Sequence, residues 1–149
     1  MMSYRRRFLG VCVLGFGLAC AGSGDQEETT PPSVEQIVEP QLRADLSALR
    51  EHIAVPASVS AAKWTMQSNR AGGQELVAFF PDADTSAMGI EVSSTGADVP
   101  GPAGLLQVIG IDPDEDGALA SCAPLQQDGW QCQGATVTLS GVVVYLTHP

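Results

Sequence analysis

Ala62-Lys63-Trp64-Thr65-Met66-Gln67, followed by Ser68-Asn69-Arg70-Ala71-Gly72-Gly73 and Glu75-Leu76-Val77-Ala78-Phe79-Phe80, is the stretch whose reading decides the fold. Ala62, Trp64 and Met66 alternate with Lys63, Thr65 and Gln67. That period of two puts apolar side chains on one face of a half-buried strand. Asn69, Gly72 and Gly73 supply the residues that turns need. Glu75 to Phe80 then reads as a second strand, broken by Pro81-Asp82-Ala83-Asp84.

Downstream, the sequence predicts more strands. Gly89 to Ser94 is a third, followed by a long loop through Gly96, Pro100, Gly101 and Pro102. Leu105 to Ile111 is an almost continuous apolar run and is read as a fourth strand. Another begins near Ala118, and Asp128-Gly129 is a hairpin signal between Gln127 and Trp130. Thr136 to Leu139 and Val142 to Thr147 complete the series, with Gly141 marking a bend. Leu105–Ile111 and Val142–Leu146 are expected at the centre, because a strand apolar on both faces must be covered on both.

Upstream, the period is that of a helix. Leu42, Leu46, Leu49 and Ile53 recur at spacings of four, three and four, so a helix is expected from Pro40 to about His52. Pro56 closes it. One helix followed by short strands predicts an α+β domain over 40–149, the N-terminal helix packed on an antiparallel sheet of about five to seven short strands. Nothing in this reading supplies crossover helices, which parallel pairing would require. Trp64, Phe79, Phe80, Leu105, Ile109, Val142 and Val144 are the expected core.

Residues 22–39 differ in composition. Ser, Asp, Glu, Thr and Pro dominate, with Thr29-Thr30-Pro31-Pro32 in the middle. Such a segment buries too little apolar surface to offset its ordering entropy, and a disordered acidic tether is expected. Before it lie Arg5-Arg6-Arg7, an apolar run from Phe8 to Leu18, and Ala19-Cys20-Ala21. A basic start, a short apolar run and small residues at its end are the layout of a cleaved export signal, here 1–19. The run is shorter than the roughly 20 residues that span a bilayer as a helix.

Gly17-Leu18-Ala19-Cys20 resembles the lipobox of bacterial lipoproteins, with Gly17 where that pattern usually has leucine. The resemblance implies that Cys20 carries a lipid, that residues 20–39 lead away from the membrane, and that Ala21 directs the protein to the outer membrane or cell surface. Cleavage after Ala21 is the competing outcome, since Ala19-Cys20-Ala21 also reads as A-x-A; it would leave a soluble periplasmic or secreted protein. Cys12 lies inside the apolar run. Cys122 and Cys132 remain as a pair, and in an oxidising compartment a disulfide is their expected state. Nine residues separate them, so they do not form the C-x-x-C of a redox site.

Charge narrows the partners. All seventeen acidic residues lie beyond the signal, and losing Arg5, Arg6 and Arg7 takes the net charge from −10 to −13. A field of that sign repels phosphate backbones, which argues against nucleic acid. No phosphate-cradling glycine motif is present, so no nucleotide is expected. Two histidines, with no G-x-S-x-G elbow, give a Ser–His–Asp site little to build on, and with the cysteines paired a zinc site lacks ligands.

The one motif that points to a ligand is Asp112-Pro113-Asp114-Glu115-Asp116-Gly117. It fits D-x-D-x-D-G, the first half of a calcium loop, with Asp112, Asp114 and Asp116 as candidate ligands. Ala123 stands where the bidentate glutamate of that loop belongs, and an acidic solvated turn is the competing reading. The expectation is therefore a non-catalytic envelope lipoprotein, held to the membrane by lipid on Cys20 and able to meet an envelope protein partner. A surface calcium-binding module comes second and a small hydrolase third. No cofactor other than calcium is expected.

Overall fold

The computed structural model describes residues 39–149; the signal, Cys20 and nearly all of the 20–39 segment lie outside the described residues. The chain between Lys63 and His148 forms one six-stranded sheet, every neighbouring pair antiparallel. The strands are β1 (Lys63–Ser68), β2 (Gln74–Pro81), β3 (Glu91–Ala97), β4 (Gly117–Ser121), β5 (Gln131–Val137) and β6 (Gly141–His148), in the order β1-β2-β6-β5-β4-β3. Helices are few: α1 (Leu46–Arg50) and α2 (Ala103–Ile109), with a 3₁₀ turn at Ala123–Leu125. The domain is mostly β.

The β1–β2 hairpin forms as its sequence predicts, in the register Lys63 opposite Phe79 through Ser68 opposite Gln74. Asn69 closes it. Its side-chain oxygen accepts from the N–H groups of Ala71 (3.0 Å) and Gly73 (2.9 Å), an Asx turn that replaces backbone pairing with side-chain pairing.

Alternation sorts the sheet's residues onto two faces, and both are covered. Trp64, Leu76, Ala78, Phe80, Ala135, Val142, Val144 and Leu146 meet Leu49, Ile53, Met88, Leu125 and Trp130 on one face. On the other, Val77, Phe79 and Val143 lie beneath Leu105, Leu106, Ile109, Val99 and Ile111. β2 and β6 are thus apolar along most of their length because each is buried twice. All seven residues expected in the core are buried.

Leu105 to Ile111 corrects the prediction. It is not a strand. Ala103–Ile109 is a helix lying against β1 and β2, and it brings Leu105, Leu106 and Ile109 onto one side while Gln107 faces solvent. Gly110 ends it in the left-handed conformation (φ 79°). Ile111 N–H then donates to Leu106 O (2.9 Å) and Gly110 N–H to Gln107 O (3.1 Å), the two bonds of a Schellman turn, with Ile111 and Leu106 packed in the same cluster. A short apolar run reads equally as strand or helix, and the sheet's need for a cover on its second face decides it. Because α2 links β3 to β4, which are antiparallel neighbours, it is not a crossover.

The N-terminal helix differs in extent from Pro40–His52. α1 covers only Leu46–Arg50. Asp45 caps it, accepting from Ser47 N–H (2.8 Å) and Ala48 N–H (3.4 Å). Residues before the cap are not helical because Arg43 pairs with Trp64: Arg43 N–H donates to Trp64 O (2.8 Å) and Trp64 N–H to Arg43 O (2.9 Å). Leu42, the first member of the apolar stripe, is accordingly 55% exposed, while Leu49 and Ile53 are fully buried.

Leu106 sits where helix and sheet meet, so Leu106→Ala should cost about 2–5 kcal/mol. Gln107→Ala, one residue away on the solvent side, should leave stability within about 0.5 kcal/mol. Urea unfolding of the two variants measures both, and the contrast tests the helical phase of this segment directly.

Candidate functional site

The most unusual grouping of side chains is an aromatic ladder along one face of the sheet. The chain has two tryptophans and two histidines, and all four converge. His52, just beyond α1, meets Trp64 edge-on at 5.8 Å between ring centroids and Trp130 at 5.9 Å. Trp130 in turn meets His148 at 5.5 Å. Both indoles are buried and both imidazoles half-buried.

Local geometry explains each placement. Trp130 follows a turn in which Asp128 (φ 50°) and Gly129 (φ 86°) both take the left-handed conformation, and its N–H donates to Gln127 O (2.9 Å). The turn leads into β5 from the 3₁₀ turn rather than from another strand. The β5–β6 pairing of Gln131 with Thr147 sets Trp130 and His148 side by side. Trp64 donates its indole N–H to Asp45 O (3.1 Å), and the Arg43 guanidinium lies 4.9 Å from its ring centroid. His148 has a backbone oxygen at each ring nitrogen, Pro149 O at 3.0 Å and Asp128 O at 3.1 Å. A neutral ring donates to one of these, an imidazolium to both.

The ladder ties four parts of the chain together: the end of α1, β1, the approach to β5, and the end of β6. No spacing in the sequence announces it, since its members lie at 52, 64, 130 and 148. Strand register is the information that brings them together. The rings pack edge to face and both indoles are buried, so the grouping contributes cohesion between these segments.

Cys122 and Cys132 form a disulfide, with Cα atoms 5.4 Å apart, between the end of β4 and the start of β5. The loop it closes is fastened to the end of α1 through Gln127 Nε2 donating to Arg50 O (2.8 Å), and to the segment after it through Ala54 N–H donating to Leu125 O (2.9 Å).

Asp112, Asp114 and Asp116 are all exposed. Asp112 turns its carboxylate inward on its own loop, accepting from Asp114 N–H at 3.0 Å. Among the described residues, no three His, Cys, Asp or Glu side chains are grouped so as to hold one metal ion. Asp82 and Asp84 lie at a shallow cleft of about 130 Å³ between residues 58–60 and 81–88. That volume is below the roughly 300 Å³ at which small-molecule sites begin. Asp84 is already engaged with Ser86 N–H (2.8 Å) and Ala87 N–H (3.3 Å). Among the described residues, no helix is long and apolar enough to cross a membrane.

One titratable group stands out. Tyr145 Oη donates to Glu75 Oε1 (3.2 Å), whose other oxygen accepts from Gln67 Nε2 (2.8 Å). Burial, then the negative charge and hydrogen bond of Glu75, raise the Tyr145 pKa above the usual tyrosine value of 10.0.

No protein-family model, no curated protein and no solved structure matches this chain.

Two measurements follow from this geometry. The pair Cys122→Ser and Cys132→Ser should lower stability by about 3 kcal/mol, the loop-entropy value for a bridge of this span, read by urea unfolding against the oxidised protein. Tyr145 should ionise above pH 10, so the stability it affects is intact below about pH 10 and declines as pH rises further. The only other tyrosine is Tyr4, so absorbance near 295 nm in a chain shortened to begin at residue 20 reports Tyr145 alone. Glu75→Gln should lower the midpoint but leave it above 10, because burial, the larger cause, remains.

Proposed function

We propose that this protein is a bacterial envelope lipoprotein, anchored at Cys20, whose domain acts by binding or by structural support rather than by catalysis. The observation that carries the reading is the division of labour among the cysteines. Cys20 directly follows an export-type apolar run, while Cys122 and Cys132 are joined. Disulfides of this kind persist outside the reducing cytosol, which agrees with export. The acidic, proline-containing residues from Ala21 to Glu39 suit a spacer between a lipid and the domain. The fold class belongs to the same proposal: an α+β domain in which α1 contributes Leu49 to one face of the sheet.

The calcium module is the second reading. It rests on the Asp112, Asp114 and Asp116 pattern, and its signature is a rise in melting temperature with millimolar calcium, as ligand linkage requires. The intact mass of the protein purified from its own membranes tests the first reading. The expected value is that of a chain beginning at Cys20, increased by acyl groups and reduced by two hydrogens for the bridge. Cys20→Ser should remove the acyl mass and release the protein from membranes. An unacylated chain beginning at Gly22, recovered in the soluble fraction, would overturn the anchor.

A further inference from the structure

We propose that the open edge of β3 is the binding surface of this domain, and that its occupant is an extended, lysine- or arginine-bearing segment of another protein, added as a seventh strand. This rests on reading the domain as a binding module and does not depend on the lipid anchor.

The two edges of the sheet are unlike. At β1 the outer backbone groups of Trp64 are already taken by Arg43. β3 pairs only with β4, and six of its seven residues, Glu91 to Gly96, are exposed. Unpaired N–H and C=O groups along such a strand are a template for another chain. Two bulges, between Val92 and Ser94 and between Thr95 and Ala97, bend the strand and shorten the run that a partner can follow. The backbone therefore supplies a short contact, and side chains must supply the rest.

They are present on both faces. Val92 is 51% exposed on the face shared with Ala120, and Leu119 of β4 is 42% exposed on the opposite face. An added strand would have Val92 as a direct apolar neighbour on one face, with Leu119 one strand further in, beyond Ser94, on the other.

Charge selects the partner. Glu91 opens β3, Asp98 follows it, and Asp116 directly precedes Gly117, which pairs with Ala97. Neither β3 nor β4 contains lysine or arginine. Three of the four cations beyond the signal gather instead at the other edge: Lys63 in β1, Arg43 bridged to it and Arg70 in its turn. A second copy of this chain brings the same large negative charge and is repelled, so the acids that block self-pairing at β3 favour a basic strand.

The test uses the otherwise complete protein with Cys20→Ser, so that its outcome is independent of the anchor. The probe is a synthetic peptide of alternating lysine and valine; the control has the same charge but carries prolines that forbid strand pairing. At low salt the first should shift the amide resonances of Glu91–Ala97 saturably and slow their hydrogen exchange, and the control should not. Combining Glu91→Lys with Asp116→Lys should weaken the probe at least tenfold, whereas Lys63→Glu should not weaken it. Equal binding of both peptides would mean charge attraction without strand addition, and shifts centred on β1 would mean the wrong edge; either overturns the proposal, as does no binding.

Discussion

The double burial of β2 and β6 is the constraint on which the rest of this structure depends. Their pairing runs from Gln74 opposite His148 to Pro81 opposite Gly141, and side chains on both faces leave water. A strand pair of that kind needs two covers. α1 with its Leu49, the residues after it around Ile53, Met88 and Trp130 supply one, and α2 supplies the other. Each cover then sets local detail: α2 must present Leu105, Leu106 and Ile109 together, and Gly110 must turn the chain back toward β4. Gly141 is fixed by the same pair, because a side chain there would collide with the backbone oxygen of Phe80.

Polar interactions refine this arrangement rather than drive it. The disulfide and, through Trp130, the aromatic ladder both hold the connection between β4 and β5. Asn69, Asp45 and Asp84 each spend a carbonyl or carboxylate oxygen on nearby N–H groups, which lets tight turns form without exposed backbone donors. Thr65 is the exception. Its hydroxyl is buried without a hydrogen-bond partner, beside Val77 on the face that α2 covers, where alternation alone had placed a polar residue toward solvent.

Much of the sheet was legible in the sequence, and the reasons are local. The β1–β2 hairpin announced itself through alternation and a turn carrying Asn69, Gly72 and Gly73, and Val142–Leu146 through apolar character on both faces. Leu105–Ile111 was not legible from apolarity alone. Pro102 before it and Gly110 near its end are the flanking residues of a helix, but the adjacent Leu105 and Leu106 masked the four-residue spacing to Ile109. The reach of α1 was missed for a different reason: Leu42 fits the helical stripe, and only the long-range pairing of Arg43 with Trp64 removes it. The disulfide was readable from the cysteine count. The ladder was not, because it exists only once β5 and β6 are in register. Asp112, Asp114 and Asp116 matched half a motif, and the folded loop spends Asp112 on its own backbone.

The Arg43–Trp64 bridge also has a mechanical meaning. Among the described residues it is the first backbone pairing met on entering the sheet from the N-terminal side. Tension applied from that side would load its two hydrogen bonds before any strand of the sheet. Two bonds are few beside the eight-residue pairing of β2 with β6, so the bridge would yield first while those strands stayed shielded. Arg43 and the residues up to α1 would then act as a short extensible leader that spares the core.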